Sequence, residues 1–298
     1  MEKIMVVGAG VMGKGIAYAC ATSGYLVYLN DLNQDVLEKA KKEIYLLMER
    51  SFLKGYLTKE QLVQSKENLY IESDIVKAGK DVDLVIEAVI EKMEIKADIF
   101  KRLDEICQKD AILATNTSTM SPTELGAQTS RPDKVVAMHF FNPVHKMKLI
   151  EIIRGLETSD ETIEKVKEIS ARLNKEAVEV NEFPGFVTSR MNCLIGNEAM
   201  NMLMEGIASA ADIDKAVKLG LNHPMGPLEL ADLVGLDSRL RNMEYLYQTL
   251  GEKYRPSPLL VKYVKAGRLG KKNGKGFYDY HEEKNSNEDI SKSTIKQR

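Results

Sequence analysis

Hydrophobic positions in the first 180 residues alternate between short runs rich in β-branched residues and longer amphipathic stretches. A short, continuous apolar run predicts a buried strand, whereas apolar positions three and four residues apart predict a helix. The predicted strands are Ile4–Val7, Leu26–Asn30, Asp83–Val89, Ile112–Asn116, Val135–Phe141, Leu149–Ile153 and Glu176–Asn181, and the predicted helices are Gly13–Ser23, Asp35–Lys54 and Met93–Cys107. Strands that alternate with helices predict an α/β fold with a doubly wound, mostly parallel sheet.

The pattern changes at Phe183-Pro184-Gly185-Phe186, where the Pro-Gly pair is a strong break in regular structure. Beyond it the sequence predicts helices over 186–205, 211–219, 227–250 and 258–266, with a single short strand over 276–280. We therefore predict an α/β domain over 1–183 and an all-α C-terminal domain over 184–280. The remaining residues, 281–298, are almost wholly polar, which predicts a mobile tail because such a segment cannot join an apolar core.

One predicted helix is apolar on nearly every side. The stretch over 186–205 contains Met191, Leu194, Ile195, Met200, Met202, Leu203 and Met204. Such a helix must be buried all round, and a two-fold interface is the commonest way to bury a large apolar surface. We therefore expect a homodimer joined through the helices after residue 183. The alternative is that the other helices of the same domain cover this helix within one chain.

Charge and composition exclude several classes of protein. With 42 basic and 44 acidic residues among 298, the net charge of −2 gives no basic field for nucleic acid. No apolar run reaches the roughly 18–20 residues needed to cross a membrane, and the N-terminus leads straight into a strand, so we expect a cytoplasmic protein. Cys20, Cys107 and Cys193 are far apart and form no Cys-x-x-Cys pair, so neither disulfides nor a metal site is indicated.

A glycine-rich turn follows the first predicted strand. Gly8-Ala9-Gly10-Val11-Met12-Gly13 has the spacing Gly-x-Gly-x-x-Gly and opens a predicted helix, which is the context that dinucleotide binding requires. The first glycine permits the tight turn, the second lets the backbone approach a pyrophosphate, and the third lets the helix pack closely. The alternative is a turn that only joins strand to helix. The glycine pattern alone is weak evidence for dinucleotide binding, and its position between a strand and a helix strengthens that evidence.

Asp31 closes the second strand, eighteen residues after Gly13. Its carboxylate can accept hydrogen bonds from the adenosine ribose and would repel the 2′-phosphate of NADP. FAD-binding proteins share the glycine motif, but the chain length favours NAD. Leu32 and Asn33 offer no clear phosphate clamp, so some use of NADP stays open.

His139 and Glu151 are the candidate acid–base pair. His139 ends a predicted strand, and ligands of doubly wound sheets bind beyond the carboxyl ends of the strands. Glu151 lies inside the apolar run Leu149–Ile153, where a carboxylate is costly without a partner. If the two strands are neighbours, Glu151 can hold the imidazole and stabilise its protonated form, which is the arrangement of a general base and its orienting group. A purely structural histidine is the alternative.

Together, six motifs resemble the short-chain 3-hydroxyacyl-CoA dehydrogenases, a family that includes the bacterial 3-hydroxybutyryl-CoA dehydrogenases. The resemblance extends from Lys3 to about Tyr280 and depends on Gly8–Gly13, Asn116-Thr117-Ser118, His139-Phe140-Phe141-Asn142-Pro143, Pro184-Gly185-Phe186-Val187, His223-Pro224-Met225-Gly226-Pro227 and Gly274-Lys275-Gly276-Phe277. It implies a Rossmann-type NAD-binding domain, a helical domain through which the family pairs, and an acyl-CoA substrate. It also implies that His139 is the catalytic base and that Glu151 is its partner.

The resemblance also implies roles for residues that their own chemistry does not single out. Ser118 would hydrogen-bond the substrate, whereas its position alone suggests only a turn at a strand end. Arg50 and Lys54 lie four residues apart on one helical face and could meet the phosphates of coenzyme A, but they could also be a solvated basic face. The positions that would surround the bound NAD, besides the glycine turn and Asp31, are Glu91, Lys96, Asn142 and Lys275. Without the resemblance, we would assign Lys96 and Lys275 to the solvated surface.

One position departs from the family pattern. The family usually has asparagine followed by arginine after its Pro-Gly-Phe-Val segment, and here the sequence reads Thr188-Ser189-Arg190. Ser189 therefore occupies the position of an active-site asparagine. Its hydroxyl can donate one hydrogen bond, but it is shorter and lacks the two donors of an amide.

These observations lead to one expected function and two alternatives. We expect an enzyme that interconverts an (S)-3-hydroxyacyl-CoA and the 3-oxoacyl-CoA with NAD; acyl-chain length, direction and pathway stay open. One alternative is a dehydrogenase of a free hydroxy acid or sugar acid, which would ignore coenzyme A. The other is a non-catalytic structural relative, such as the lens proteins of this superfamily, against which the presence of both His139 and Glu151 argues.

Overall fold

The continuous apolar runs of the first 186 residues form the strands of one eight-stranded sheet, in a computed structural model that describes residues 3–281. The strands are β1 (Lys3–Val7), β2 (Leu26–Asn30), β3 (Leu69–Ile71), β4 (Leu84–Glu87), β5 (Ile112–Thr115), β6 (Val135–Phe140), β7 (Leu149–Arg154) and β8 (Glu176–Asn181). Their order is β3-β2-β1-β4-β5-β6-β7-β8, and all neighbours are parallel except β6 and β7. The predicted mostly parallel, doubly wound sheet is confirmed.

Seven helices accompany the sheet. They are α1 (Val11–Thr22), α2 (Gln34–Leu53), α3 (Lys59–Glu67), α4 (Ile75–Gly79), α5 (Met93–Ile106), α6 (Pro122–Gly126) and α7 (Asp160–Arg172). Two separate apolar clusters lie against the sheet, one containing Ile16, Leu37 and Ile152 and the other Phe100, Leu103 and Leu125. The sheet is therefore covered on both faces, as the near-continuous apolar strands require.

The path of the chain through the sheet reverses direction at β1. The chain passes from β1 outward to β2 and β3, and then returns to β4 on the other side of β1. A crevice forms at such a switch point, outside the carboxyl ends of the strands. The glycine turn follows β1 and therefore lies at this crevice.

The second unit begins at Val187 and is helical. It contains α8 (Thr188–Met204), α9 (Ala210–Gly220), α10 (Pro227–Val234), α11 (Leu236–Leu250) and α12 (Pro258–Lys265). Its core includes Met200, Leu228, Met243 and Leu246, all inaccessible to solvent. The predicted all-α C-terminal domain is confirmed.

The helix predicted over 186–205 is α8, whose ends lie within two residues of the prediction. Two other sequence predictions about the second unit are wrong. The helix predicted over 227–250 is two helices, because Gly235 has φ +99°, a conformation that ends α10 and starts α11. The strand predicted over 276–280 is a tight turn with an isolated bridge between Lys275 and Asp279. Its backbone amides donate instead to Asp232, at Phe277 and Tyr278.

The remaining expectations concern classes of site and the tail. Cys20, Cys107 and Cys193 are buried free thiols. Within residues 3–281, we find neither a helix long and apolar enough to cross a membrane nor a group of three His, Cys, Asp or Glu side chains that could hold a metal ion. All but the first residue of the predicted tail over 281–298 lies outside the described residues.

Candidate active site

The glycine turn has the shape that a dinucleotide pyrophosphate needs. Gly8 has φ +101°, and a Cβ there would stand 2.7 Å from the carbonyl oxygen of Ala88. A Cβ on Gly13 would overlap the carbonyl oxygen of Gly8, so the start of α1 packs directly on the turn. Gly10 instead borders open space, because a Cβ there would have no atom of another segment within 4 Å. The chain thus leaves room for phosphates beside the first amides of α1, from Val11 onward.

Asp31 is tied to the same turn. Its Oδ2 accepts a hydrogen bond from the Ala9 amide at 2.9 Å, and its Oδ1 accepts one from the Asn33 amide at 3.2 Å. The carboxylate is therefore fixed at the end of β2, where the adenosine ribose of a dinucleotide lies in this kind of fold. The next residue, Leu32, is 94% exposed and supplies no charge. The turn, the helix start and the fixed acid together fit NAD.

The register of the one antiparallel strand pair brings His139 and Glu151 together. The two residues are directly opposite each other in β6 and β7. His139 Nδ1 lies 2.8 Å from Glu151 Oε2, and both residues are buried. The imidazole also packs against the rings of Phe141 and Phe186, at centroid distances of 4.4 and 5.9 Å. The pairing that the sequence suggested is present, while the catalytic role of each residue stays a prediction.

Only one nitrogen of His139 is occupied by this pair. Among the hydrogen bonds of residues 3–281, Nε2 of His139 takes part in none. A carboxylate at Nδ1 fixes the tautomer that carries a proton on that nitrogen and leaves Nε2 as an acceptor. The arrangement can therefore accept a proton from a hydroxyl group and return it.

The Ser118 segment is held in place by Glu91. Glu91 Oε1 accepts hydrogen bonds from the Ser118 amide at 3.0 Å and from the Thr117 hydroxyl. Within the described part of the chain the Ser118 hydroxyl has no hydrogen-bond partner. Ser118 is half-buried, its backbone is held by Glu91, and its hydroxyl remains available.

Lys96 is not a surface residue, so the assignment from its residue type alone is wrong. It is 1% exposed, and its Nζ lies 2.8 Å from Glu87 Oε1 and 3.1 Å from Glu91 Oε2. Desolvation is the largest single effect on the pKa of Lys96 and lowers it, but the two carboxylates together outweigh desolvation and hold that pKa above its ordinary value. Lys96 therefore stays charged and links the end of β4 to Glu91, next to the Ser118 segment.

Sequence reasoning missed Glu87 and Asn116. Glu87 is fully buried at the end of β4 and also accepts a hydrogen bond from the Thr115 hydroxyl at 2.7 Å. Asn116 Oδ1 accepts from the Phe140 amide at 2.9 Å and so joins the ends of β5 and β6. A signal existed for Glu87, because a carboxylate inside an apolar strand is costly without a partner. The same reasoning had singled out Glu151.

The other predicted residues of the first unit lie on its surface. Asn142 is exposed and follows β6 by two residues. Arg50 is exposed in the last turn of α2, and Lys54 is exposed directly after that helix. The Arg50 and Lys54 side chains meet no carboxylate within residues 3–281. Their predicted contacts to NAD and coenzyme A stay predictions.

Ser189 and Lys275 belong to the second unit. Ser189 is half-buried in the first turn of α8. Lys275 has a side chain that is 53% exposed, and its Nζ lies 4.0 Å from Asp279 Oδ2. The surface assignment from residue type agrees with this exposure. The roles that the resemblance implies for Ser189 and Lys275 stay predictions.

Family models match both parts of the chain. The model for the 3-hydroxyacyl-CoA dehydrogenase NAD-binding domain matches residues 3–183, and the model for the 3-hydroxyacyl-CoA dehydrogenase C-terminal domain matches residues 185–280. These boundaries, and the division of the structure after Phe186, lie close to the predicted boundary at 183.

Individual relatives are similar over nearly their whole length. A protein of Bacillus subtilis named probable 3-hydroxybutyryl-CoA dehydrogenase is 49% identical over 95% of this chain and 98% of its own. The 3-hydroxybutyryl-CoA dehydrogenase of Clostridioides difficile is 46% identical over 94% of this chain and 99% of its own. The crystal structure of (S)-3-hydroxybutyryl-CoA dehydrogenase PaaH1 from Ralstonia eutropha has a TM-score of 0.88 at 42% identity, covering 94% of this chain and 99% of that one.

Proposed function

The chain belongs to the 3-hydroxyacyl-CoA dehydrogenase family and is an NAD-dependent oxidoreductase of 3-hydroxyacyl-CoA thioesters. From this premise we propose that the acyl chain of its substrate is short. The substrate would be (S)-3-hydroxybutyryl-CoA, interconverted with acetoacetyl-CoA. The support is the activity for which the relatives at 43–49% identity are named, which is that of a 3-hydroxybutyryl-CoA dehydrogenase. The observation that carries the chemistry is the buried 2.8 Å contact between His139 and Glu151.

His139 would act as the general base in the direction of oxidation. Its free Nε2 takes the proton of the substrate hydroxyl, while Glu151 stabilises the positive charge that the ring gains with that proton. The same proton returns to the ketone oxygen during reduction. NAD⁺, when bound, supplies the acceptor for the hydride that leaves C3 of the substrate. Phe141 and Phe186 pack against the imidazole ring and restrict the orientations that it can adopt.

Hydroxyl and amide groups would orient the thioester beside this base. Ser118, whose backbone amide is held by Glu91, offers a hydroxyl without a hydrogen-bond partner in residues 3–281, which supports its predicted hydrogen bond to the substrate. Ser189 would supply a second, shorter donor from α8. Glu91, Lys96, Asn142 and Lys275 would surround the cofactor, as the resemblance implies; of these, the buried Lys96 would act through its ion pairs with Glu87 and Glu91.

The family resemblance and the second unit support a homodimer. Large apolar side chains of this unit are exposed, among them Met191 at 57%, Ile207 at 65% and Leu219 at 77%. Exposed apolar surface of this kind marks an interaction site, and a second copy of the same chain would cover it. We place the enzyme in the cytoplasm and assign its acyl-CoA substrates to fatty-acid and butanoate metabolism.

A steady-state assay tests the proposal. We expect turnover of acetoacetyl-CoA with NADH, a decline of kcat/KM with longer 3-oxoacyl-CoAs, and lower kcat/KM with NADPH. Turnover of free acetoacetate at a comparable kcat/KM would contradict the thioester assignment. A kcat/KM that rises with chain length would contradict the short-chain assignment alone.

A further inference from the structure

A group of basic side chains without ion-pair partners lies on the first unit. Its members are Arg50 and Lys54 at the end of α2, His145 and Lys146 in the loop after β6, and Lys175 just before β8. We call these five residues the basic cluster. Within residues 3–281, no carboxylate oxygen lies within 4.0 Å of a nitrogen of any of their side chains.

Tyr18 of α1 brings the two main segments of the basic cluster together. Its hydroxyl oxygen lies 2.7 Å from Ser51 Oγ, which follows Arg50 on α2. Its ring packs edge-on against the His145 imidazole, with 6.0 Å between ring centroids. Because Tyr18 is buried, the end of α2 and the loop after β6 are held against one common residue.

Lys175 fixes the same loop from the other side. Its Nζ donates hydrogen bonds to the carbonyl oxygens of Val144 and Met147, both at 2.7 Å. Val144 in turn packs so closely on Gly15 of α1 that a Cβ there would lie 2.7 Å from its methyl carbon. The loop that presents His145 and Lys146 is therefore fixed by the protein before any ligand arrives.

The electrostatics of the basic cluster are unfavourable without an anion. Partial desolvation, together with the charges of Lys146, Lys175 and Lys54, lowers the pKa of His145 below its ordinary value. Like charges repel, and within the described chain no acidic side chain pairs with them. A ligand with several negative charges would relieve this repulsion.

Building on the proposed acyl-CoA function, we propose that His145 and Lys146 bind the phosphates of coenzyme A together with Arg50 and Lys54. The loop that carries His145 and Lys146 follows β6, and β6 ends at Phe140, the residue after His139. His145, Lys146 and Lys175 thus lie at the edge of the sheet where the candidate base is found. The NAD phosphates have their own place at the glycine turn, so they are the competing ligand that the experiment must separate.

Binding of a phosphate would be linked to protonation of His145. The groups that face its ring are Tyr18 on α1, Lys54 after α2, Lys146 in its own loop and Lys175 before β8. A bound phosphate favours the imidazolium and raises the pKa of His145 again. The Kd for coenzyme A should therefore fall as the pH is lowered from 7.5 towards 5.5. His145→Ala should flatten that part of the pH dependence.

The experiment compares two thioesters that differ in their phosphates. The full-length enzyme is assayed with NADH and either acetoacetyl-CoA or acetoacetyl-N-acetylcysteamine, which lacks phosphate. In the double variant His145→Ala/Lys146→Ala, we expect KM for acetoacetyl-CoA to rise by about tenfold, as expected for the loss of two partly screened charge contacts. The kcat/KM for the short thioester and the Kd for NADH should not change. Lys148→Ala removes a charge from the same loop outside the basic cluster and is the matched control.

Calorimetry with free coenzyme A and with 3′-dephospho-coenzyme A completes the test. If the double variant binds only coenzyme A more weakly, the basic cluster binds the 3′-phosphate. If it binds both ligands more weakly, the basic cluster binds the pyrophosphate. An equal loss with both thioesters, a changed Kd for NADH or an unchanged affinity for coenzyme A would overturn the inference. If the wild-type chain bound coenzyme A in this way but reduced neither thioester, the proposed function would fail and this inference would stand.

Discussion

At the scale of single residues, the site depends on carboxylates that the core tolerates only because each has a specific partner. Glu151 is 1% exposed and meets His139, and Glu87 is fully buried and meets Lys96. A buried carboxylate without such a partner would cost roughly several kcal/mol, so each pair fixes its members in one geometry. The candidate acid–base pair and the Glu87–Lys96 ion pair are therefore fixed by the interior of the first unit.

Replacement of His139 by glutamine tests the general base. The glutamine amide can still donate to Glu151, so we expect the melting temperature and the Kd for NADH to stay nearly unchanged. Without a base, kcat should fall by about 10²–10⁴-fold. Glu151→Gln should lower kcat less, because it leaves the imidazole in place. Near-normal turnover of His139→Gln would show that another residue takes the proton.

Asp31 should make the enzyme prefer NADH to NADPH. A 2′-phosphate beside this fixed carboxylate would bring two like charges together. In Asp31→Asn the side chain can still accept a hydrogen bond but carries no charge, and we expect the ratio of kcat/KM for NADH over that for NADPH to fall by about tenfold. Wild-type enzyme that used NADPH equally well or better would refute the assignment.

The sequence identified Glu151 because its burial in an apolar strand conflicts with its charge, whereas Glu87, in the same situation, was missed. Glu151 and His139 could be paired in advance because a strand carboxylate needs a partner and the strands could be neighbours. Lys96 could not be placed correctly, because nothing in its own segment indicates that two carboxylates from β4 and the following turn enclose it. The contacts of His145 with Tyr18 likewise arise only when the loop after β6 packs on α1.

At the scale of elements, the junction between β1 and α1 is the part that the nucleotide requires. The position of Gly8 requires a positive φ, and the position of Gly13 has no space for a side chain. The position of Gly10 has neither restriction. The three glycines therefore divide into two that shape the turn and one that leaves space in front of it. This division can be measured, because folding and cofactor binding respond separately.

Alanine substitutions separate these two uses of glycine. Gly13→Ala should lower the free energy of unfolding by about 1–3 kcal/mol, because its methyl group overlaps the Gly8 carbonyl, and should also weaken NADH binding. Gly10→Ala should leave the melting temperature unchanged and raise the Kd for NADH, since its methyl group occupies only open space. Gly220→Ala, at another open position, is the control for both measurements. A Gly10→Ala variant with wild-type affinity for NADH would contradict the placement of the pyrophosphate.

Elements were predictable where their hydrophobic pattern was long and uninterrupted. The strands from β4 to β7 follow nearly continuous apolar runs and appear within one or two residues of the predicted ends. Strand β3 was missed because it has only three residues, one of which is exposed. The break at Gly235 was missed because a single glycine inside a helical pattern does not reveal whether its φ is positive.

At the scale of the whole molecule, the second unit predicts the oligomeric state. Its exposed apolar residues include Leu219 and Leu221 in addition to those on α8. We expect light scattering at micromolar concentration to give twice the 33.4 kDa mass of one chain. Met191→Glu on the exposed side of α8 should shift the equilibrium towards the single chain, with Lys101→Glu at an exposed position of α5 in the first unit as the control. A wild-type mass of 33.4 kDa would refute the dimer.

The antiparallel pairing of β6 and β7 places His139 opposite Glu151 whatever the length of the segment that connects the two strands. Twelve positions separate His139 and Glu151 along the chain, but the strand register brings them to within the 2.8 Å contact. The connecting segment, which carries the proposed phosphate-binding residue Lys146, can therefore change in length or sequence without changing the pairing of His139 with Glu151. Insertion of a single residue inside either strand would instead turn one member of the pair to the opposite face of the sheet.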